Sequence, residues 1–471
     1  MSKLEPKVKP KIGILYAGLA AYWPQYPEFL EIGTNMLERY VKKFDKIGEV
    51  VLQKFIDTPE KSEAAGKFFR EEDIDILYIL PFGYTTGMII VPAVRAVNCP
   101  IRIMATHEDA TYDYRAATDS TWLHHSGICC ISEYAGTLKR MGIKFKTTVG
   151  WLNDNRMWEE IRQDSIGASA ASAFKKMNFA IIGNAYTNMT DMPADDHRLL
   201  KTMGKLFLKP EIEEFAVEYG KVKEHEIREM LEQFRDFYAV DESVTDEHMY
   251  ESAKIAVVFD KIIVEKYDIN GYGYYWWGVD PLYTRLRSQS TVAGSRLASM
   301  GRPGVTEGDV KTAMGMKFMD LVGAGGMFVE YNTIDFENDF ILISHDGPVN
   351  FNVSEGKPQL KHLSVHHGKT GSGLGIDFNL KKGLVTILNW TQFDTTCDSF
   401  KLIYTVGEVV EGDMLRCGNP NGRLKLNRDI PEFVEAWCQE GPVHHNSLGI
   451  GNHTREIEAF AEVMGLKCVK I

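Results

Sequence analysis

Five short apolar runs in the first third of the chain predict buried strands, at residues 12–16, 76–80, 101–104, 128–131 and 147–151. Longer stretches between them, such as 27–44 and 87–97, have the apolar spacing of amphipathic helices. Strands that alternate with helices are typical of a parallel, doubly wound sheet. We therefore predict an α/β domain of this kind over residues 1–172.

The same alternation resumes with an apolar run at residues 179–183. The stretch 209–235 that follows is rich in Glu and Lys, which indicates helices with a solvated face. We predict a second doubly wound α/β domain over residues 173–325.

The pattern changes from residue 339 onward to short strands separated by Gly and Asn turns. Regular spacing of this kind predicts an antiparallel barrel or sandwich. We assign residues 326–471 to a mostly β domain, with short helices near 431–438 and 455–464. The predicted fold is thus two doubly wound parallel-sheet domains followed by a C-terminal antiparallel β-barrel-like domain.

The stretch 304–348 places acidic residues at the ends of predicted elements. Thr306 has the character of an N-cap, so a helix is expected to begin at about Glu307. The glycine-rich end of this helix leads into a short buried strand at 327–329, which Glu330 follows. If helix and strand form half of a parallel βαβ unit, both glutamates lie at the sheet edge where open α/β sheets bind ligands.

Each glutamate alone has an ordinary explanation, because a carboxylate in a first helical turn gains about 0.3–1 kcal/mol from the helix macrodipole. The histidines change this balance. His345 directly follows the apolar run 340–343, and His444 and His445 are adjacent in a glycine-rich, loop-like segment. Adjacent histidines point to different sides, so at most one of the pair is expected to be a ligand.

Two carboxylates with one or two imidazoles make a mixed oxygen and nitrogen site. Such a site suits Mn²⁺, Mg²⁺ or Co²⁺ and is poor for structural zinc, which usually takes thiolates. The sequence therefore predicts a divalent metal centre.

Composition restricts the class of protein. With 471 residues the chain is too long for one ordinary core, and its 44% hydrophobic and 25% charged residues are typical of a soluble globular protein. A net charge of −12 without a basic stripe argues against nucleic-acid binding. No apolar run approaches a membrane span, and no secretory signal precedes the first strand. Seven cysteines without a CxxC spacing indicate reduced thiols, so we predict a cytoplasmic metabolic enzyme.

Four segments resemble the signature segments of the L-arabinose isomerases, which are similar in turn to the L-fucose isomerases: EGDVKTA at 307–313, FVEYNTI at 328–334, ISHDGP at 343–348 and VHHNSLG at 443–449. The resemblance extends more thinly to 147–161 and 182–196. It implies a metal site of two carboxylates and two imidazoles, from Glu307, Glu330, His345 and His445. It also favours Mn²⁺ as the ion, and a homotrimer or homohexamer in which the first domain completes a neighbouring subunit's pocket.

The activity implied by this resemblance is the interconversion of an aldose and its ketose. The metal ion would polarise the carbonyl group of an open-chain monosaccharide. Glu307 and Glu330 would share the movement of protons between C1 and C2 and their oxygens, through a cis-enediol. Either glutamate can be the base in this scheme.

Other candidates concern the substrate. His125 in WLHHSG lies where the family has a histidine that reaches a neighbouring subunit's pocket, although a structural role is the alternative. His444 is a second candidate, beside the metal. Trp277 belongs to an aromatic run that forms either core or a sugar-stacking platform, and Arg285 and Arg287 could address oxygens or an anionic substituent.

The first loop of the family is replaced here by YAGLAAYWPQY, at 16–26. This departure and the two arginines favour a hexose, C6-modified or sulfonated as in a sulfoquinovose-type sugar, rather than strictly L-arabinose. An L-arabinose or L-fucose isomerase proper is the alternative.

Two further alternatives belong to other classes. A metal-dependent aldolase could use the same ligands. A non-catalytic sugar-binding protein would share the α/β domains, but it needs no such cluster and normally carries an export signal.

Overall fold

The computed structural model describes residues 4–276, 280–363, 373–392, 394–395, 399–413, 415 and 419–471. It divides into two compact units. The first unit comprises Val8–Ala173 and Arg455–Val463, and the second comprises Met1–Lys7, Phe174–Thr454 and Met464–Ile471. The division into three domains stays a prediction. Among the described residues, none of the helices is both long and apolar enough to cross a membrane.

The first unit contains a five-stranded parallel sheet. Its strands are β1 (Lys11–Ala17), β2 (Glu49–Ile56), β3 (Ile76–Pro81), β4 (Ile101–His107) and β5 (Lys146–Trp151), in the order β2-β1-β3-β4-β5. Its helices are α1 (Phe29–Phe44), α2 (Pro59–Glu71), α3 (Val91–Ala96), α4 (Asp119–His124), α5 (Gly127–Arg140) and α6 (Asn155–Lys175). Nearly every residue of β1 and β3 is buried, as expected for parallel strands covered on both faces.

The helices cover both faces of this sheet. Phe69 of α2, Ala93 of α3 and Tyr134 of α5 belong to the apolar cluster on one face. Tyr40 of α1 and Ile161 of α6 belong to the cluster on the other. The parallel, doubly wound arrangement predicted for this part of the chain is thus present in the first unit.

One predicted strand in this unit is wrong. Residues 128–131 lie in α5, whose buried residues Cys130, Ile131, Tyr134 and Leu138 follow helical spacing. An apolar run of four residues does not distinguish a strand from a buried helix segment. Strand β2 was not predicted, because it lies at the sheet edge and is only partly buried.

The second unit begins with a smaller parallel sheet. The strands of this region are β6 (Asn178–Gly183), β7 (Ala239–Val240), β8 (Ile269–Tyr275) and β9 (Gly304–Val305). The sheet order is β6-β8-β9, and its pairings are parallel. The helices are α7 (Asp196–Met203), α8 (Ile212–Tyr219), α9 (Glu224–Phe237), α10 (Asp246–Phe259), α11 (Pro281–Ser288), α12 (Ser290–Ser299) and α13 (Val310–Leu321). Helices α8 and α9 confirm the helical prediction for 209–235.

The remaining strands are β10 (Met327–Asp335), β11 (Phe340–Ser344), β12 (Gln359–Leu363), β13 (Gly373–Asp377), β14 (Gly383–Thr391), β15 (Lys401–Val410), β16 (Asn421–Leu426), β17 (His445–Ile450) and β18 (Lys467–Lys470). Two helices, α14 (Ile430–Gln439) and α15 (Thr454–Met464), lie among them. Seven strands form a sheet in the order β14-β17-β10-β11-β16-β15-β18, antiparallel except for the pair β15–β18, and β14 also pairs with β15. The large antiparallel sheet was predicted correctly, while its closure as a barrel stays a prediction.

The predicted start of the helix near Glu307 is wrong. Helix α13 begins at Val310, and its N-cap is Asp309, whose Oδ1 accepts hydrogen bonds from the backbone N–H groups of Lys311 and Thr312. Thr306 lies instead in a 3₁₀ turn, Thr306–Gly308. A carboxylate that caps two N–H groups sets the helix start here.

The parallel βαβ arrangement predicted for Glu307 and Glu330 is also wrong. Strand β10 continues to Asp335 and pairs antiparallel with both β11 and β17. The histidine pair does not lie wholly in a loop either, because His445 is the first residue of β17. Glu330 is placed by the antiparallel register of β10 with β11 and β17, and Glu307 by the turn before α13.

Candidate metal centre and active site

The antiparallel ladder of β10, β11 and β17 brings Glu330, His345 and His445 together. Glu330 is the direct cross-strand neighbour of His445 on one side and of Ser344 on the other. His345 follows Ser344 at once. Since directly opposed residues of antiparallel strands hold their Cβ atoms about 4.5–5.5 Å apart, the strand register alone places three of the four predicted ligands side by side.

Glu307 reaches the same place from the turn before α13. Its backbone is left-handed, with φ 64° and ψ 6°, a conformation that costs a non-glycine residue on the order of 1–3 kcal/mol and is typical of functional sites. The turn is held from both sides. The N–H of Tyr186 donates to the carbonyl of Glu307 at 2.9 Å, and a Cβ on Gly308 would collide with the carbonyl of Asn184.

The polar atoms of these side chains converge on one small volume. Oε1 of Glu330 lies 3.3 Å from Nε2 of His345 and 3.4 Å from Nε2 of His445. Oε2 of Glu307 lies 3.4 Å from the same His445 nitrogen. In two sets of three residues, Glu307 with His345 and His445 and Glu330 with His444 and His445, the ligand atoms all lie within 4.8 Å of one another.

Two of these atoms are buried and unpaired. Neither Oε2 of Glu307 nor Nε2 of His445 has a hydrogen-bond partner among the residues that the structure describes. They face each other at 3.4 Å, within ion-pair distance. Buried polar atoms without a partner call for an ion or a water molecule, and carboxylate oxygen with imidazole nitrogen is a donor set for Mn²⁺, Mg²⁺ or Co²⁺. The residues present therefore fit a divalent ion.

His445 is held from behind by a buried ion pair. Its Nδ1 lies 3.2 Å from Oδ2 of Asp309, and both residues are fully buried. The same carboxylate accepts a hydrogen bond from Oγ1 of Thr312 at 2.7 Å and pairs with Nζ of the fully buried Lys311 at 3.1 Å. A carboxylate behind an imidazole fixes its tautomer and orientation, so Nε2 is left to face Glu307 and Glu330.

His345 is oriented by its neighbours in a similar way. Its Nδ1 donates to the backbone carbonyl of Asp346, and its Nε2 lies toward Glu330. The imidazole of His345 stacks on Phe328, with ring centroids 3.8 Å apart. The ring of His445 packs edge to face against the same Phe328, with centroids 4.6 Å apart. One aromatic ring thus contacts both imidazoles, which also meet each other edge to face with centroids 4.9 Å apart.

His444 lies on the open side of the cluster, with 40% of its side chain exposed. Oδ2 of Asp191 accepts hydrogen bonds from its backbone N–H at 2.9 Å and from its Nδ1 at 2.7 Å. Its Nε2 lies 3.4 Å from Oε1 of Glu330. Both histidines therefore lie close to the carboxylates of Glu307 and Glu330. His445 is buried, whereas His444 is open to solvent.

The charges of the site favour a cation. Burial alone would raise the pKa of Glu330, but His345 and His445 outweigh it and lower the pKa below its ordinary value. Burial likewise opposes a lowered pKa in Glu307, where His445 again outweighs it. For His445 burial would lower the pKa, yet the carboxylates of Asp309, Glu307 and Glu330 raise it well above its ordinary value. Both glutamates are thus ionised at neutral pH, and the field that favours a proton on His445 also favours a metal ion.

The described contacts of the two candidate arginines do not include the predicted metal ligands. Arg285 lies on α11, and its described contacts run to Tyr219 and Glu251 rather than to the predicted ligands. Arg287 is buried and donates to the carbonyl of Trp276 at 2.7 Å. Trp277 lies outside the described residues.

His125 belongs to the first unit, at the end of α4. Its Nδ1 lies 2.7 Å from the carbonyl of Thr121, and its ring stacks on His107 with centroids 6.0 Å apart. A role in the pocket of a neighbouring subunit stays a prediction for this residue.

Two partners of the histidines were not identified from the sequence. Asp309 is 136 positions from His445, and Asp191 is 253 positions from His444. Asp309 stands in the EGDVKTA segment and Asp191 in the thinner resemblance at 182–196, so both lay within segments already singled out. Nothing in their local pattern indicates which distant imidazole each one meets.

Comparison with known proteins agrees with this geometry. Residues 325–467 match the family described as the L-arabinose isomerase C-terminal domain. The L-arabinose isomerase of Geobacillus thermodenitrificans is 23% identical over 350 residues, which cover 72% of this chain and 69% of the relative. Those of Bifidobacterium animalis subsp. lactis and Oceanobacillus iheyensis are 24% and 22% identical, over 72% of this chain and 68% and 72% of their own lengths. The chain is thus similar to the L-arabinose isomerases over most of its length, and its C-terminal part matches their C-terminal domain family.

Proposed function

We propose that this protein is a metal-dependent aldose–ketose isomerase that interconverts an aldose and its 2-ketose through a cis-enediol. The observation that carries the proposal is the convergence of Glu307, Glu330, His345 and His445. Two of their atoms, on Glu307 and His445, are buried without a hydrogen-bond partner in the described part of the chain. The L-arabinose isomerases among the relatives support the same reaction class.

The proposed ligands of the ion are the two glutamates, His345 and His445, with Mn²⁺ as the proposed metal and Mg²⁺ or Co²⁺ as alternatives. When bound, a divalent ion supplies Lewis-acid polarisation of the sugar's carbonyl group. The protein's part is to keep the ligands in place and correctly oriented. Asp309 does this for His445, and the carbonyl of Asp346 does it for His345.

Glu307 and Glu330 carry the proton transfers in this proposal. One carboxylate removes the proton from C2 of the aldose and returns it to C1, while the other moves the hydroxyl proton from O2 to O1. The sum of these steps is the ketose, with no atom gained or lost. Both carboxylates are ionised at neutral pH and so have room for a proton, while their lowered pKa values in the metal-free site make them weak bases.

His444 is the proposed contact to the substrate. It is the exposed member of the histidine pair, and Asp191 holds its Nδ1, so its Nε2 faces the open side of the two glutamates. A sugar hydroxyl that approaches the glutamates from solvent would meet this nitrogen first.

The proposed substrate is a hexose rather than strictly L-arabinose, because the first loop of the chain departs from the family pattern. A C6-modified or sulfonated aldohexose of the sulfoquinovose type is included. The anionic group was suggested by two arginines, and their described contacts are to the protein: Arg285 to Tyr219 and Glu251, and Arg287 to the carbonyl of Trp276. The loop supports a different sugar but does not indicate a charge on it. The cytoplasmic location and the trimeric or hexameric assembly stay predictions.

A screen of aldoses tests the proposal. The full-length protein is stripped with a chelator and incubated with L-arabinose, L-fucose, neutral aldohexoses and a 6-sulfonated aldohexose, with and without Mn²⁺. We expect ketose formation from at least one sugar, only with the ion, together with solvent deuterium at C1 or C2. Carbon–carbon bond cleavage would identify an aldolase, and binding without any exchange would identify a sugar-binding protein.

A further inference from the structure

The strand that carries His445 is paired unequally on its two sides. Toward β10 the ladder of β17 includes the pair Glu330–His445. Toward β14 the ladder stops at the pair Leu388–Ser447. The backbone of residues 443–446, which includes both histidines, therefore needs other hydrogen-bond partners on the β14 side.

The side chain of Asn389, the next residue of β14, supplies these partners. Asn389 is fully buried. Its Oδ1 accepts a hydrogen bond from the N–H of Val443 at 3.1 Å. Its Nδ2 lies 2.7 Å from the carbonyl of Val443, 3.0 Å from the carbonyl of His445 and 2.8 Å from Oδ1 of Asn446. One amide thus contacts the segment on both sides of His444.

An amide is suited to this place because it offers a donor and an acceptor in the geometry of a peptide group. Asn389 therefore takes over where the backbone ladder of β14 ends. Oγ1 of Thr312 also lies 3.3 Å from the carbonyl of His445, but its one proton is closer to Oδ2 of Asp309, at 2.7 Å. On the β14 side, the side chain of Asn389 holds the backbone of Val443 and His445, while β10 pairs with His445 on the other side and Asp191 accepts from the N–H of His444.

We propose that Asn389 is a positioning residue of the metal centre, which holds the histidine pair in place through the backbone of Val443 and His445 without touching metal or substrate. The inference rests on the proposed function and extends it to a residue outside the four ligands. Replacement of a residue that orients metal ligands typically costs about 10–100-fold in metal affinity.

The test compares two isosteric changes in the full-length, chelator-stripped protein. Asn389→Asp keeps the Oδ1 acceptor and removes both N–H donors. We expect it to bind Mn²⁺ about 10–100-fold more weakly in a calorimetric titration, with an unchanged circular dichroism spectrum. Asn352→Asp is the matched control, because Asn352 is also buried and its Nδ2 donates to the carbonyl of Ser299 at 2.7 Å, away from the histidines. We expect the control to keep its Mn²⁺ affinity.

Three results would overturn the inference. Equal Mn²⁺ affinity in Asn389→Asp and the unchanged protein would remove Asn389 from the metal centre. An equal loss in Asn352→Asp would assign the effect to general destabilisation. Absence of Mn²⁺ binding by the unchanged protein would overturn the proposed function and the inference together, so the two failures are distinguishable.

A measurement on the unchanged protein covers the case in which Asn389→Asp does not fold. If Asn389 holds this segment, the amide of Val443 is protected from hydrogen exchange even before metal is added, because Oδ1 of Asn389 is its acceptor. Rapid exchange of this amide in the metal-free protein would contradict the inference. Asn389→Ser, which leaves room for water beside the backbone groups, carries the same expectation for Mn²⁺ affinity as the aspartate variant.

Discussion

His444 and His445 are neighbours in the chain, yet they lie in opposite environments. His445 is fully buried and faces Asp309, which is itself paired with the buried Lys311. His444 is 40% exposed and is held by Asp191. We refer to the first three residues as the enclosed half of the site and to His444 with Asp191 as the open half.

The difference between the halves corresponds to two tasks that an isomerase of this kind must perform. A metal ligand has to stay in one orientation and one protonation state, which a buried carboxylate behind the imidazole provides. A contact to substrate has to remain accessible while sugars enter and leave. Glu307 and Glu330 lie between the two halves, within 3.9 Å of both histidines.

The largest expected effect comes from removing a charge that both halves share. Oε1 of Glu330 faces Nε2 of His444 and of His445, each at 3.4 Å. We expect Glu330→Gln to lower ketose formation on the order of 10²–10⁴-fold, because a proton-transfer group and a metal ligand are lost together. Glu408→Gln, at an exposed position of β15, is the control and should keep its activity. Comparable turnover in the two variants would exclude Glu330 from the chemistry.

The second effect concerns the stability of the enclosed half. Lys311→Met removes one of the two groups that pair with the buried carboxylate of Asp309, the other being His445, and loss of one partner of a buried ion pair typically costs about 3–5 kcal/mol of unfolding free energy. Urea denaturation measures this loss. Lys317→Met is the control on the same helix, since its partner Asp320 is partly exposed and can turn to water. Equal losses of unfolding free energy in the two variants would show that the Lys311–Asp309 pair stabilises the protein no more than the Lys317–Asp320 pair does.

A smaller effect is expected when the enclosed half loses its charge but keeps its shape. Asp309→Asn weakens the hold on Nδ1 of His445, and we expect Mn²⁺ to bind about 10–100-fold more weakly. Asp191→Asn makes the same change in the open half and should leave the Mn²⁺ affinity unaltered. Titration calorimetry measures the Mn²⁺ affinity of both variants. Equal losses of affinity would contradict the assignment of metal binding to the enclosed half alone.

The smallest effect is expected in the open half itself. His444→Ala removes one hydrogen bond to the sugar, so we expect KM to rise about twofold to tenfold while the Mn²⁺ affinity is kept. Steady-state kinetics at saturating Mn²⁺ measures the change. A loss of metal affinity in His444→Ala would make His444 a ligand and would contradict the division of tasks between the two histidines.

Sequence reasoning identified four side chains that the structure brings together, but it derived their approach from the wrong geometry. Glu307 and Glu330 were expected to meet at the edge of a parallel sheet. They meet because a left-handed turn carries Glu307 and an antiparallel register carries Glu330. A short buried run such as 327–329 looks the same in either kind of sheet, so the pattern could not decide the direction of pairing.

The partners of the histidines could not be predicted for a related reason. Asp191 and Asn389 each act on residues more than fifty positions away, and hydrogen bonds over such separations leave no periodic signal in the chain. The doubly wound first unit was predictable, because parallel strands covered on both faces have continuous apolar runs. The one strand placed wrongly, at 128–131, was the run whose length and composition also suit a helix.

Anomalous scattering at the manganese edge, from crystals grown with MnCl₂, tests the central claim most directly. The claim is that one divalent ion is held where the two carboxylates and two imidazoles converge. The predicted result is one anomalous peak per chain, bounded by Glu307, Glu330, His345 and His445. Binding of Mn²⁺ elsewhere in the chain, with no peak among these four side chains, would contradict it.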